Sequence, residues 1–112
     1  MNRKSEVMNE ILEMVVKCCA VNMGEEQGVT ISKEDVLGKC RAANLVEARC
    51  LLVTELTQAG FSTQTIATMM GKSTTAVRNL RKIANEYHRN SRAYRIIEEE
   101  LEGMVGERVY GL

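Results

Sequence analysis

Proline and tryptophan are missing from this chain, and it has only one phenylalanine and one histidine. Without proline, no segment is forced out of a helix by an absent backbone N–H. Alternating runs of β-branched and aromatic residues are missing too, which argues against a strand-rich fold. The four cysteines, Cys18, Cys19, Cys40 and Cys50, form no C-x-x-C pair, and His88 cannot complete a zinc set with them. Nor does His88 serve a convincing Ser-His-Asp arrangement. It lies among arginines and reads as a surface or phosphate-facing residue. No apolar run approaches a membrane span, and the opening MNRKSEVMNE has no apolar signal core. The expectation is a protein that is not an enzyme and carries no cofactor or metal. Its thiols are expected to be free, in a reducing, cytoplasmic setting.

What is abundant is Ala, Leu, Met, Glu, Lys and Arg, the residues that favour helix. A chain of 112 residues suffices for one core but is small for a deep catalytic cleft. The expected fold is an all-α, compact five- to six-helix bundle. It is read as a single domain over residues 1–102, with the glycine-containing residues 103–112 as a flexible tail. The first helix is expected over residues 3–22, with Val7, Ile11, Met14, Val15, Cys18 and Val21 on one stripe. Met23, Gly24 and the polar run to Gly28 end it. Ser32 and Asp35 mark the start of a short helix ending near Gly38. Asn44 and Glu47 read as the capping pair of a third helix, which continues through Ala48, Leu51, Leu52 and Leu56 to about Gln58. A last helix carries Tyr94, Ile97 and Leu101.

Net charge is zero, yet the charges are segregated. Residues 72–95 hold seven cations against the single anion Glu86, whereas residues 96–112 hold five glutamates and one arginine. Residues 1–36 carry seven acids against four bases. A basic block thus lies between acidic ends, and that block coincides with the most informative motif. In GFSTQTIATMMGKSTTAVRNLRKI, Ser62 caps a short helix bearing Ile66, Met69 and Met70, and Gly71 supplies a sharp turn. Ser73 caps a second helix with Val77, Leu80 and Ala84 on its packed side. This is the pattern of a helix-turn-helix. Arg78, Lys82 and Arg89 recur on the opposite side, where they would face a DNA groove. The string GKST has no glycine at the head of the preceding Ala67-Thr68-Met69-Met70, so it is not a phosphate loop and no nucleotide is expected. Glu98, Glu99, Glu100 and Glu102 read as a solvated acidic face rather than a metal site. Arg49, inside an apolar helix, is either a phosphate anchor or a partner in an internal ion pair.

Residues 29–101 also resemble the C-terminal DNA-binding domain of the bacterial chromosomal replication initiator DnaA. The resemblance rests on ISKEDVLGK (31–39), CRAANLVEARCLLVTELT (40–57), GFSTQTIATMMG (60–71) and KSTTAVRNLRKI (72–83). It covers about two-thirds of the chain and includes no part of the family's ATPase. It implies a stand-alone bundle of the Trp-repressor-like kind, with a basic loop at Lys39 and Arg41. The family's base-reading His and Thr correspond to Thr74 and Thr75. Ser73-Thr74 replaces an Asp-His pair, and Cys40 and Ala43 stand where the family is usually basic. The resemblance therefore implies a DNA-binding surface without implying the family's DNA site.

Together these readings predict binding to double-stranded DNA, in replication initiation or transcription regulation. Lys39, Arg41, Arg49, Lys72, Ser73, Thr74, Thr75, Arg78, Lys82 and Arg89 are the candidate contacts. Arg78 is the best base reader among them, because its fork matches guanine. The competing expectation is a protein-interaction module that kept the scaffold and lost DNA binding, which zero net charge favours. Val15, Val16 and Val21 are residues either of the core or of a homodimer or partner surface.

Overall fold

The computed structural model describes residues 3–20 and 31–111. Among these residues there are six helices and no strand. They are α1 (Arg3–Cys19), α2 (Lys33–Leu37), α3 (Ala43–Gln58), α4 (Thr63–Met70), α5 (Thr74–Asn90) and α6 (Arg92–Tyr110). The chain is thus the all-α bundle that its composition predicts. The residues expected to close the first helix, Met23, Gly24 and the run to Gly28, lie outside the described residues, as does Val21.

The core is built on α3. Ala48, Cys50, Leu51, Leu52, Val53 and Leu56 are all fully buried, so this helix is apolar around most of its circumference. Such a helix must be covered on several sides. α1 brings Ile11, Met14 and Val15 against it, α5 brings Val77 and Leu80, and α6 brings Tyr94 and Leu101. Each such side chain contributes about 1.5–3 kcal/mol through burial. Tyr94 also stacks on Tyr87 of α5, with ring centroids 5.3 Å apart.

Local chemistry sets most of the helix ends. Ser32 and Asp35 form the expected reciprocal cap on α2, the Ser32 Oγ accepting from the Asp35 N–H at 3.2 Å. That helix stops at Gly38, where any side chain would put its Cβ 2.9 Å from the Glu34 carbonyl oxygen. Two expected features are corrected. Asn44 does not cap α3, because the carbonyl of Ala42 already takes the Val46 N–H and starts the helix earlier. Asn44 is instead buried in the first turn, its Oδ1 accepting from the Leu45 N–H. The loose tail expected over residues 103–112 is helical as far as Tyr110 instead, despite Gly103 and Gly106. Each glycine costs about 1 kcal/mol of helix propensity. Burial of Val105 and the packing of Met104 and Val109 against the core outweigh that.

Two buried polar atoms lack a partner among the described residues, the Tyr94 hydroxyl and Glu55 Oε1, and the carboxyl is the one whose charge changes with pH. Glu55 on α3 is 2% exposed. Burial pushes its carboxyl up to about 7, and the nearby Glu102 and Glu98 on α6 push the same way. From α1, Cys18 feels the Glu55 charge as well. Because the folded value exceeds the ordinary 4.5, the native state favours the protonated acid. That stabilisation is fully present below about pH 4.5 and is lost as pH rises through about 7. The loss should reach about 3 kcal/mol at alkaline pH. Glu55→Gln is therefore expected to be more stable than the parent near pH 9, with the gap closing toward about pH 5. Urea denaturation at several pH values measures this, and parallel pH profiles for the two proteins would refute it.

Candidate nucleic-acid interface

The helix-turn-helix comprises α4, the turn at Gly71 and α5. Ser62 Oγ accepts from the Thr65 N–H at 3.1 Å, and Ser73 Oγ accepts from the Ala76 N–H at 3.1 Å. Between these caps Gly71 takes the left-handed conformation, φ 64°, which lets the chain reverse without a clash at Cβ. The Lys72 N–H then donates back to the Ala67 carbonyl, closing the end of α4. Ile66, Ala67 and Met70 meet the buried Val77, Leu80 and Ala84 of α5. The opposite side of α5 is left to solvent: Thr75, Arg78, Asn79, Lys82, Asn85, Glu86 and Arg89 are all exposed. At its N-terminus the Thr74 and Thr75 N–H groups precede the first intrahelical bonds.

The cations divide into two groups that the sequence does not distinguish. Arg49 is 4% exposed and is neither a phosphate anchor nor an ion-pair partner. Its Nε donates to the Val36 carbonyl at 2.7 Å, one Nη to Cys40 at 2.5 Å and the other to Asp35 at 3.0 Å, all on backbone oxygens. It therefore closes the end of α2 and the loop behind it. Arg81 donates to the hydroxyls of Thr57 and Thr63, at 3.2 and 2.6 Å, and fixes α5 against α3 and α4. Arg95 donates to the carbonyls of His88 and Arg89 at the end of α5. The other group comprises Lys39, Arg41, Arg78, Lys82 and Arg89, together with Arg3 and Lys17 of α1 and Arg92 and Arg108 of α6. These are exposed, and none makes a side-chain hydrogen bond or ion pair among the described residues.

Lys72 belongs partly to each group. It is half-buried, with its Nζ 3.5 Å from the Gly38 carbonyl. Desolvation lowers its pKa, and the charges of Arg49 and Lys39 lower it further. The loop carrying Lys39 and Arg41 thus lies against the turn that starts α5, as the candidate surface requires. Ser73 keeps its hydroxyl on its own helix, while Thr74 is half-buried and Thr75 exposed at the helix mouth.

The remaining chemistry-bearing groups lead elsewhere. His88 Nδ1 lies 2.6 Å from Glu98 Oε1, an ion pair when the imidazole is protonated. That contact holds Glu98 at 8% exposure, so the acidic face of α6 is solvated at Glu99, Glu100 and Glu102 but not there. Among the described residues no group of His, Cys, Asp or Glu is arranged to hold a metal ion. None of the four cysteines is in a disulfide, and burial pushes the thiols of Cys19 and Cys50 up to about 12. Asn79 is the surface residue that sequence reasoning missed. It follows Arg78 and lies four positions past Thr75, so helical spacing alone sets it beside the candidate contacts. No helix is long and apolar enough to cross a membrane among the described residues. No family model, curated protein or solved structure matches the chain.

The division of the cations has a direct thermodynamic consequence. Arg49→Ala leaves the buried Val36 carbonyl without a donor and releases the loop at Cys40, and should cost about 1–3 kcal/mol. Arg78→Ala removes only solvated atoms and should stay within about 0.5 kcal/mol of the parent. Urea midpoints compare the two, and an Arg49 variant as stable as the Arg78 variant would contradict the clamp.

Proposed function

We propose that this chain binds double-stranded DNA, with α5 as the recognition helix entering the major groove N-terminal end first. The observation that carries the reading is the sorting of the cations. Those that hold the fold together point inward or along helix ends. The uncommitted Arg78, Lys82 and Arg89 share the outer side of the helix that follows the turn. A helix packed on one side, with short polar and cationic side chains on the other, suits that groove. Arg78 would grip guanine bidentately. Lys39, Arg41, Lys72, Lys82 and Arg89 would contact phosphates, and Thr74 and Thr75 would stand at the helix mouth where open amides favour an anion. The like-charge crowding around Lys72 supports the same reading, because a phosphate there would relieve it. The resemblance to the replication initiator's DNA-binding domain adds a role in replication initiation or transcription regulation. The protein is then a binder rather than a catalyst, working in the cytoplasm, where its thiols stay free.

Duplex affinity should fall steeply with salt, with a log–log slope of about −4 to −5 for roughly five phosphate contacts. Lys82→Ala should flatten that slope by about one and weaken all sequences alike. Arg78→Ala should cost about 1–3 kcal/mol on preferred sites and relax the preference for one base pair. Fluorescence polarisation at two salt concentrations measures all three. Absence of duplex binding at low salt would refute the proposal and leave a protein-interaction module as the reading.

A further inference from the structure

The outer side of α5 has two edges of different chemistry. Along one run Arg78, Lys82 and Arg89, spaced by four and seven residues and all exposed. Along the other lie Thr75 and Asn79, one turn apart, exposed and uncharged, and then Glu86 two turns further on. A phosphate-tracking surface has no use for a neutral edge that ends in a carboxylate. Glu86, in the fourth turn, also limits how far that edge follows DNA, since its carboxylate would be repelled there. What remains is the first two turns, where Thr75 and Asn79 stand beside Arg78.

We infer that Asn79 is a second base-reading side chain and that it selects adenine near the guanine read by Arg78. This inference rests on the DNA-binding reading above. A carboxamide offers one acceptor and two donors on a short stem, the pattern that matches the N6 and N7 edge of adenine. Asn79 is exposed and has no hydrogen bond among the described residues, so the amide has no competing partner within the fold. Consecutive residues are about 3.8 Å apart at Cα, close to the rise of about 3.4 Å between base pairs. Side chains at 78 and 79 diverge around the helix, which separates their targets across or along the groove. The adenine therefore falls within about two base pairs of the guanine. The preferred duplexes are those carrying a guanine and an adenine in one short major-groove segment, on the same or opposite strands.

Selection from a randomised duplex library, using the full chain, tests this with the parent, Asn79→Ala and Arg78→Ala side by side. The parent should enrich a site containing both purines. Asn79→Ala should lose discrimination at the adenine position by at least about fivefold while keeping the guanine preference. Its salt slope should equal the parent's, because an uncharged side chain releases no counterion. Identical enriched sites for the parent and Asn79→Ala would overturn the inference. So would a uniform loss across sequences or a changed slope. In each of those cases DNA binding by the parent would still stand. A parent that binds no duplex at low salt fails the DNA-binding reading itself, and this inference with it. Circular dichroism melting of the variant keeps a folding defect separate from a reading defect.

Discussion

Three backbone carbonyls, from Asp35, Val36 and Cys40, converge on the single guanidinium of Arg49, and the geometry of the candidate surface depends on that contact. α2 is only five residues long; the Gly38 N–H donates to the Asp35 carbonyl, but the carbonyls of Val36 and Cys40 have no backbone donor among the described residues. Lysine would reach one of them, whereas the rigid fork of arginine meets all three from one position on α3. The loop after α2 is thereby fixed to the most buried helix of the bundle. From the other side Lys72 reaches the carbonyl of Gly38 in the same loop. The start of α5 and the loop bearing Lys39 and Arg41 are therefore tied to one another through the core.

This arrangement carries a local cost that bears on function. Arg49, Lys72 and Lys39 are close enough for their charges to act on one another, and Lys72 responds by losing some of its proton affinity. Hydrogen bonds to carbonyl oxygens offset the crowding without removing it. An anion at the mouth of α5 would remove it, which links the internal clamp to the external surface. The positive charge of a structural residue contributes there although the residue itself is out of reach.

How much of this was legible in the sequence depended on whether the signal was local. Ser62, Gly71 and Ser73 specify the turn through bonds within a few residues of themselves, so they could be read directly. The stripes Val77-Leu80-Ala84 and Tyr94-Ile97-Leu101 could be read from periodicity. Arg49 could not, because its partners lie 9 to 14 positions away and are backbone atoms, which leave no trace in side-chain pattern. Arg81 resembled its neighbours in the basic block, yet it follows Arg78 by three positions instead of four and turns toward the hydroxyls of Thr57 and Thr63. The helix over residues 103–110 was hidden for the opposite reason. Its glycines are a strong local signal, and the packing of Val105 and Val109 that overrides them is long-range. Asn79 carries no charge and so gives no signal in the basic block; only its spacing sets it beside Arg78.

Zero net charge, finally, is weaker grounds against a nucleic-acid partner than it first looks. A polyanion responds to the local potential within about a Debye length, near 10 Å at moderate salt, and not to the sum over the molecule. Here five exposed, uncommitted cations lie on α5 and the loop before α3, while α6 exposes Glu99, Glu102 and Glu107 beside Arg92 and Arg108. With α5 as the proposed recognition helix, the cations around it would orient encounters with DNA before contact is made. A uniformly basic protein of this size would bind more tightly but in many poses. The segregated charge trades affinity for orientation. That would suit a small domain whose proposed selectivity rests on a few side chains in the first two turns of one helix.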